Sequence, residues 1–265
     1  MRPGRKSIRS LAFVLLLAAC ASTPPHPEPG QAGKDVVWLP SPAPLVEKML
    51  DLARVTREDT VVDLGSGDGR TVIAAAKRGA RARGIEYDAG LVSLARRNAA
   101  EAGVQASFEQ ADIFKADFSS ATVVTLFLLT DLNLKLRPRL LDMKPGTRIV
   151  SNTFGMGEWR PDAEVTTGCG AFCTAHLWIV PAKIDGYWQS SEGELAFTQE
   201  FQRVFGTLKS GGRTLTMLDG RLRADRLSFD LPDAEYEGTV QDGRIEGRIT
   251  RGAEVLPWSA TRKPL

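Results

Sequence analysis

Three carboxylates and a run of glycines carry the chemistry of this chain. Asp63 closes the apolar run in "TVVDLGSGDGR", with Gly65, Gly67 and Gly69 following at alternate positions. Glu86 ends "GIE", and Asp112 sits in "QADIF". Glycines in a turn after a strand let backbone approach a ligand where a Cβ would stand in the way. A P-loop needs Lys-Ser/Thr at its end, and none follows here. A dinucleotide fingerprint needs G-x-G-x-x-G, and Arg70 stands where the third glycine belongs. Asp63 would also sit badly beside a pyrophosphate. Glu86 is placed to accept ribose hydroxyls from the end of the next strand. The pattern points to an adenosine-bearing ligand without a polyphosphate.

The elements around these residues follow from periodicity and turn signals. Ser41-Pro42 reads as the capped start of a helix through "PLVEKMLDLARV". "TVVDL", "ARGIEY", "ASFEQAD", "ATVVTLFLL" and "TRIVSNTF" read as strands. "RTVIAAAKRG" and "AGLVSLARRNAAEAG" read as helices closed by Gly79 and Gly103. "LNLKLRPRLLDM" is helical in pattern, with Pro138 expected to kink it or end its first part. "AEVTT" and "TAHLWIVPA" have no helix between them and predict a closing antiparallel hairpin with "GCGAFC" at its turn. Alternating strands and helices build a parallel α/β sheet, and ligands bind such sheets at the strands' carboxyl ends. After Ala182 short alternating runs are broken at even spacing by Gly, Asp and Pro. They predict a second unit, 184–265, an antiparallel sheet or barrel of about six to eight strands. It contains no His or Cys.

The glycine turn closely resembles that of class I S-adenosylmethionine-dependent methyltransferases. The runs "LPSPAPLVEKMLDLARVTREDTVVDLGSGDGR" and "LNLKLRPRLLDMKPGTRIVSNTFGMGEWRPD" narrow the resemblance. They are similar to bacterial relatives of the mitochondrial lysine methyltransferases acting on the adenine nucleotide translocase and the ATP-synthase c subunit. The resemblance covers about residues 36–181 and leaves the second unit outside it. It implies a Rossmann-like seven-stranded sheet over 36–183, S-adenosylmethionine as cofactor, and a protein lysine as acceptor. It also implies a cofactor site of Asp63, Gly65, Ser66, Gly67, Gly69, Glu86, Tyr87, Asp112 and Ile113. Asp63 would meet the cofactor's ammonium or brace the loop, Asp112 the adenine amino group, and Ile113 the ring.

Methyl transfer needs an aligned and neutral amine, so a partly desolvated site with a polar orienting group is expected. Candidates at the ends of the fourth and fifth strands are Asp131, Asn133 and Asn152, with Thr130 and Phe154 beside them. Trp38 and Pro40 either close over the cofactor as a lid or staple the following helix. No "NPPY"-type motif follows the fourth strand, which argues against amino-methylation of DNA bases or glutamine. With only His26 and His176, no Ser-His-Asp or Cys-His arrangement can be assembled. A small-molecule or lipid acceptor, or ligand binding without catalysis, are the competing readings.

Residues 1–20 combine a basic start, the short apolar run "LAFVLLLAA" and "LAAC". This is the pattern of a lipoprotein export signal, with Cys20 as the lipidated residue and the bacterial cell envelope, facing the periplasm, as destination. Cleavage after Ala21 would give a soluble product, and a mis-assigned start codon a cytoplasmic one. Residues 21–35, rich in Pro and Gly, read as a flexible tether. Cys169 and Cys173 can pair in an oxidising compartment or remain buried thiols, and a metal site is not expected from one close pair. A net charge of +2 and the lack of a basic stripe argue against a nucleic-acid partner.

Overall fold

The computed structural model describes residues 27–264, so Cys20, the export signal and the first part of the tether lie outside the described residues. Two sheets organise the chain. The first takes its strands from β1 (Thr60–Leu64), β2 (Arg81–Glu86), β3 (Ala106–Gln110), β4 (Val123–Leu126), β5 (Arg148–Asn152), β6 (Ala163–Thr166) and β7 (Thr174–Ile179). Their order is β3-β2-β1-β4-β5-β7-β6. β1 to β5 are parallel, and β7 runs antiparallel between β5 and β6. This is the seven-stranded class I arrangement, with the switch point between β1 and β4 opening a crevice at the strands' carboxyl ends.

Helices α1 (Ala43–Leu52), α2 (Arg70–Lys77) and α3 (Ala89–Glu101) cover one face through Leu45, Met49, Leu50, Val72 and Ala95. α4 (Thr130–Leu141) covers the other through Leu136 and Leu140, beside Phe118, Trp159 and Trp178. Burying side chains of this size contributes roughly 1.5–3 kcal/mol each, which is why β1 and β4 are apolar without alternation. Asp88 caps α3 by accepting from the Leu91 N–H at 2.8 Å. The described chain begins beside that cap, where Pro27 lies 3.6 Å from the place a Cβ on Gly90 would occupy.

Two local expectations are corrected. Ser41 does not cap α1: Pro42 holds the N-cap position, and the Ser41 hydroxyl accepts from Asn152 instead. Of the two effects expected of Pro138, an end to the helix does not occur: the residue lies inside α4, which continues to Leu141. The flanking Arg137 and Arg139 donate to the carbonyls of Met156, Ile113 and Ala116, and Leu136 and Leu140 are buried. Those tertiary contacts offset the backbone bond that proline forfeits.

The second sheet contains β8 (Gly186–Ser190), β9 (Gly193–Glu200), β10 (Arg203–Ser210), β11 (Arg213–Thr216), β12 (Leu218–Arg223), β13 (Arg226–Leu231), β14 (Ala234–Gln241), β15 (Arg244–Arg251) and β16 (Glu254–Arg262). β11 and β12 are two halves of one stave, interrupted at Met217 and both paired with β10. Pairing of β16 with β8 and of β9 with β10 closes the sheet into an antiparallel barrel. Trp188, Phe197, Phe229, Tyr236 and Trp258 fill its interior. Closure removes the open edges at which an isolated sheet would pair with other chains.

The barrel joins the first unit at the end of the sheet away from the glycine turn. The Ala182 N–H donates to Ala224 O at 2.7 Å, beside the turn where Gly146 pairs with Val180 ahead of β5. Phe201 stacks on Trp159 with ring centroids 6.0 Å apart, and the Arg137 guanidinium lies over the Phe201 ring at 5.3 Å. Gln202 donates to Arg160 O at 2.7 Å.

Candidate active site

The glycine turn bends where β1 ends and α2 begins. Gly65, Gly67 and Gly69 have φ of 80°, 53° and 80°, conformations that cost a side-chain-bearing residue steric energy. Gly69 is the N-cap of α2, and a Cβ there would meet Phe108 and Ala95 within 2.9 Å. The turn is tied to β2 by the N–H groups of Gly65 and Ser66, both donating to Ile85 O.

Glu86 completes that tie. One carboxylate oxygen accepts from the Gly67 N–H at 2.9 Å, the other from the N–H groups of Tyr87 and Asp88. It therefore shapes the turn as well as facing the cleft, and the one spare lone pair, on the oxygen that accepts from Gly67, is the one available to a ribose hydroxyl. Asp63, at the floor, accepts from the Thr125 hydroxyl at 2.6 Å. Burial pushes its carboxyl up to about 7, and the nearby Glu86 and Asp68 act in the same direction. A cationic ligand group would reverse that shift. Ser66 adds a buried hydroxyl without a hydrogen-bond partner among the described residues.

Asp112 lies after β3 and accepts from the Phe114 N–H at 2.9 Å. Its other oxygen pairs with the Lys34 ammonium at 2.9 Å, a contact that holds its carboxyl below the usual range. Lys34 also stands 4.8 Å above the ring of Tyr87, which is largely exposed. Ile113 lines the cleft beside Asp112.

Residues 31–35, assigned to the tether by composition, instead fold against this site. Gln31 and Trp38 share a backbone bond, Ala32 bridges to Val37, and the strap from Gln31 to Ser41 forms one wall of the cleft. Trp38 rests on the glycine turn. A Cβ on Gly67 would approach its ring nitrogen to 2.4 Å, so that glycine makes room for the strap itself.

The three orienting candidates fare differently. Asn152 is fully buried, donates to Ser41 Oγ at 3.0 Å and accepts from the Thr153 hydroxyl. Its amide is committed to joining β5 to the strap. Asn133 is also fully buried and donates to Phe154 O at 3.1 Å and Gly155 O at 3.3 Å, leaving its carbonyl oxygen without a partner among the described residues. Asp131 stands exposed in the first turn of α4, next to the cleft residue Leu132. It has no side-chain hydrogen bond among the described residues. Thr130 opens that helix. Cys169 and Cys173 are joined as a disulfide at the tip between β6 and β7. His176, seen in the sequence only as an isolated histidine, bonds Thr153 O and Glu164 at 3.1 Å and so fixes the loop after β5.

The residues present suit S-adenosylmethionine. A buried carboxylate faces the place for an ammonium, a glycine turn admits close backbone approach, and two further carboxylates flank the cleft. When bound, the cofactor supplies a sulfonium-borne methyl group to an attacking lone pair. Asp63 and the turn would hold its amino-acid end, Glu86 its ribose, Asp112 and Ile113 its base.

Comparison with known proteins agrees with this geometry. A family profile described as "ANTKMT methyltransferase domain" matches residues 63–163. A protein-lysine N-methyltransferase of Saccharolobus islandicus is 39% identical over 151 residues, 55% of this chain and 94% of that protein. The adenine nucleotide translocase lysine N-methyltransferase of Mus musculus is 38% identical, with 60% of this chain and 68% of that protein covered. The mouse lysine N-methyltransferase of the ATP-synthase c subunit is 35% identical, and the match spans 58% of this chain and 63% of that protein. Among solved structures, a Salinibacter ruber RNA methyltransferase in complex with S-adenosyl-L-homocysteine is 51% identical with a TM-score of 0.53. The match covers 55% of this chain and 96% of that one. The chain belongs to the ANTKMT methyltransferase family and is an S-adenosylmethionine-dependent methyltransferase.

Proposed function

We propose that the methyl acceptor is the side-chain amine of a protein lysine. The observation that carries this reading is the 39% identity spread over 94% of an archaeal protein-lysine methyltransferase. The chemistry of the cleft supports it. Leu128 and Leu132 line the cleft, and an apolar surround of this kind favours a neutral amine over an ammonium. Asp131, exposed in the first turn of α4 beside the cleft residue Leu132, is the carboxylate we assign to orienting that amine. Residues 27–183 contain equal numbers of cationic and anionic side chains, which gives no electrostatic footprint for a polyanion.

A second reading, methylation of RNA, is favoured by one observation, the 51% identity to a protein described as an RNA methyltransferase. Incubating the purified chain with methyl-labelled cofactor and a bacterial extract separates the two. Label that is protease-sensitive and yields methyl-lysine on acid hydrolysis is the expected result. Nuclease-sensitive label would replace the lysine reading with the RNA one.

A further inference from the structure

Three phenylalanines from separate segments meet where β4 and β5 end. Phe127 follows β4, Phe154 follows β5, and Phe172 sits at the tip between β6 and β7. Their ring centroids are 6.0 Å apart for Phe127 and Phe154, 5.5 Å for Phe127 and Phe172, and 6.0 Å for Phe154 and Phe172. Phe127 also lines the cofactor cleft, so the cluster continues its wall outward. Phe172 keeps 39% of its surface exposed, although burial would be the ordinary fate of such a side chain.

The backbone holds this arrangement at a cost. Phe172 has a φ of 57° and Thr153, next to Phe154, a φ of 62°, both in the left-handed region that few non-glycine residues occupy. Such conformations persist where surrounding structure over-determines them, and they gather at ligand sites. Here the over-determination is visible. The Cys169–Cys173 disulfide closes the loop that contains Phe172. The Thr153 N–H donates to Thr174 O at 2.6 Å, His176 bonds Thr153 O, and Asn133 bonds Phe154 O. Core packing does not account for Phe172, whose two aromatic neighbours lie at the cleft's outer wall and whose own ring faces solvent on one side.

We propose that Phe172, held by the Cys169–Cys173 disulfide against Phe127 and Phe154, forms the aromatic face on which the acceptor's alkyl-amine side chain packs on its way to the cofactor. This rests on the lysine reading above. A lysine stem offers methylenes for apolar contact, and its terminal nitrogen, charged on approach and after each methylation, is attracted by aromatic faces. The three rings pack on one another, so the face they share discriminates by shape and ring electrostatics.

The test measures initial methylation rates against increasing bacterial membrane protein, together with cofactor affinity by titration, for the full chain and its variants. Phe172→Ala should raise the apparent acceptor KM about tenfold, while kcat and cofactor Kd stay within about twofold, the tenfold step being ~1.4 kcal/mol. Phe172→Tyr should restore the parent KM. The double variant Cys169→Ser with Cys173→Ser should raise KM in the same direction with cofactor Kd again unchanged. An acceptor KM unchanged in Phe172→Ala overturns the aromatic face while leaving the lysine reading intact. A parent that labels only RNA, or labels no protein, overturns both.

Discussion

Single residues here do more than one task, and the titration of Asp63 shows how. Its carboxyl, normally near 3.8, is raised to about 7 by burial. Between those values the folded chain keeps a proton that the unfolded chain has released, so this group's stabilising contribution is present at low pH and lost as pH rises toward 7. The unliganded protein therefore forfeits up to about 4 kcal/mol at this site on the way to pH 8. Asp63→Asn should melt higher than the parent at pH 8 and like the parent near pH 4, while binding the cofactor more weakly. Calorimetry in buffers of different ionisation enthalpy should also show the parent releasing protons as it binds cofactor near pH 6. Glu86 carries a parallel expectation. Glu86→Ala should weaken cofactor affinity by about 1.5–3 kcal/mol in a titration, with Glu86→Gln losing less because an amide oxygen can still accept one set of N–H groups. That acids would end β2 and follow β3 was legible from "GIEYD" and "QADIF". That Glu86 would hold the turn itself was not, because its partners are backbone groups, which carry no sequence signature.

Elements repeat that contrast. The alternation of strands and helices was readable because the apolar runs and their glycine stops are local signals. The placement of the strap was hidden. Its composition is that of a tether, and cross-chain contacts, among them Lys34 with Asp112, Trp38 with Gly67 and Ser41 with Asn152, give it a fixed course. Ser41 misled for a similar reason: its hydroxyl has two uses open to it, and the distant Asn152 claims it. The strap makes Gly67 a test of two surfaces at once. Gly67→Asp should displace Trp38 and lower cofactor affinity at least tenfold, with the far-ultraviolet circular dichroism unchanged. A variant that binds cofactor normally would show that the strap and turn can separate without loss. Trp38→Ala is the companion measurement. It should speed cofactor dissociation more than it alters association, since the wall it removes closes behind a bound ligand.

At the scale of the molecule, the barrel and the methyltransferase unit meet through few side chains. The turn spacing after Ala182 announced an antiparallel sheet or barrel without deciding between them, and the sequence held no sign of where it docks. Closure depends on the pairing of β16 with β8, which lie far apart in the chain, and docking on side chains such as Phe201 against Trp159 and Gln202 against Arg160. Phe201 is the most telling joint residue, packed on Trp159 and beneath Arg137. Phe201→Ala should lower stability by about 2 kcal/mol in denaturant titration and leave cofactor affinity unchanged. An equal loss of cofactor binding would reveal that the loop after β5 transmits strain from barrel to cleft. The arrival of the chain beside Gly90 gives the molecule a direction. The cleft and the first described residue, Pro27, share one pole, and the barrel joint lies at the other. Any anchor attached upstream therefore pulls on the pole that does the chemistry. Cys20 precedes Pro27 by a stretch no longer than about 25 Å when fully extended. A lipid placed there would turn the mouth of the cleft toward the bilayer like a moored hull and set a ceiling on reach. The lysines within range would be those lying low over the surface, while the barrel faced the open compartment.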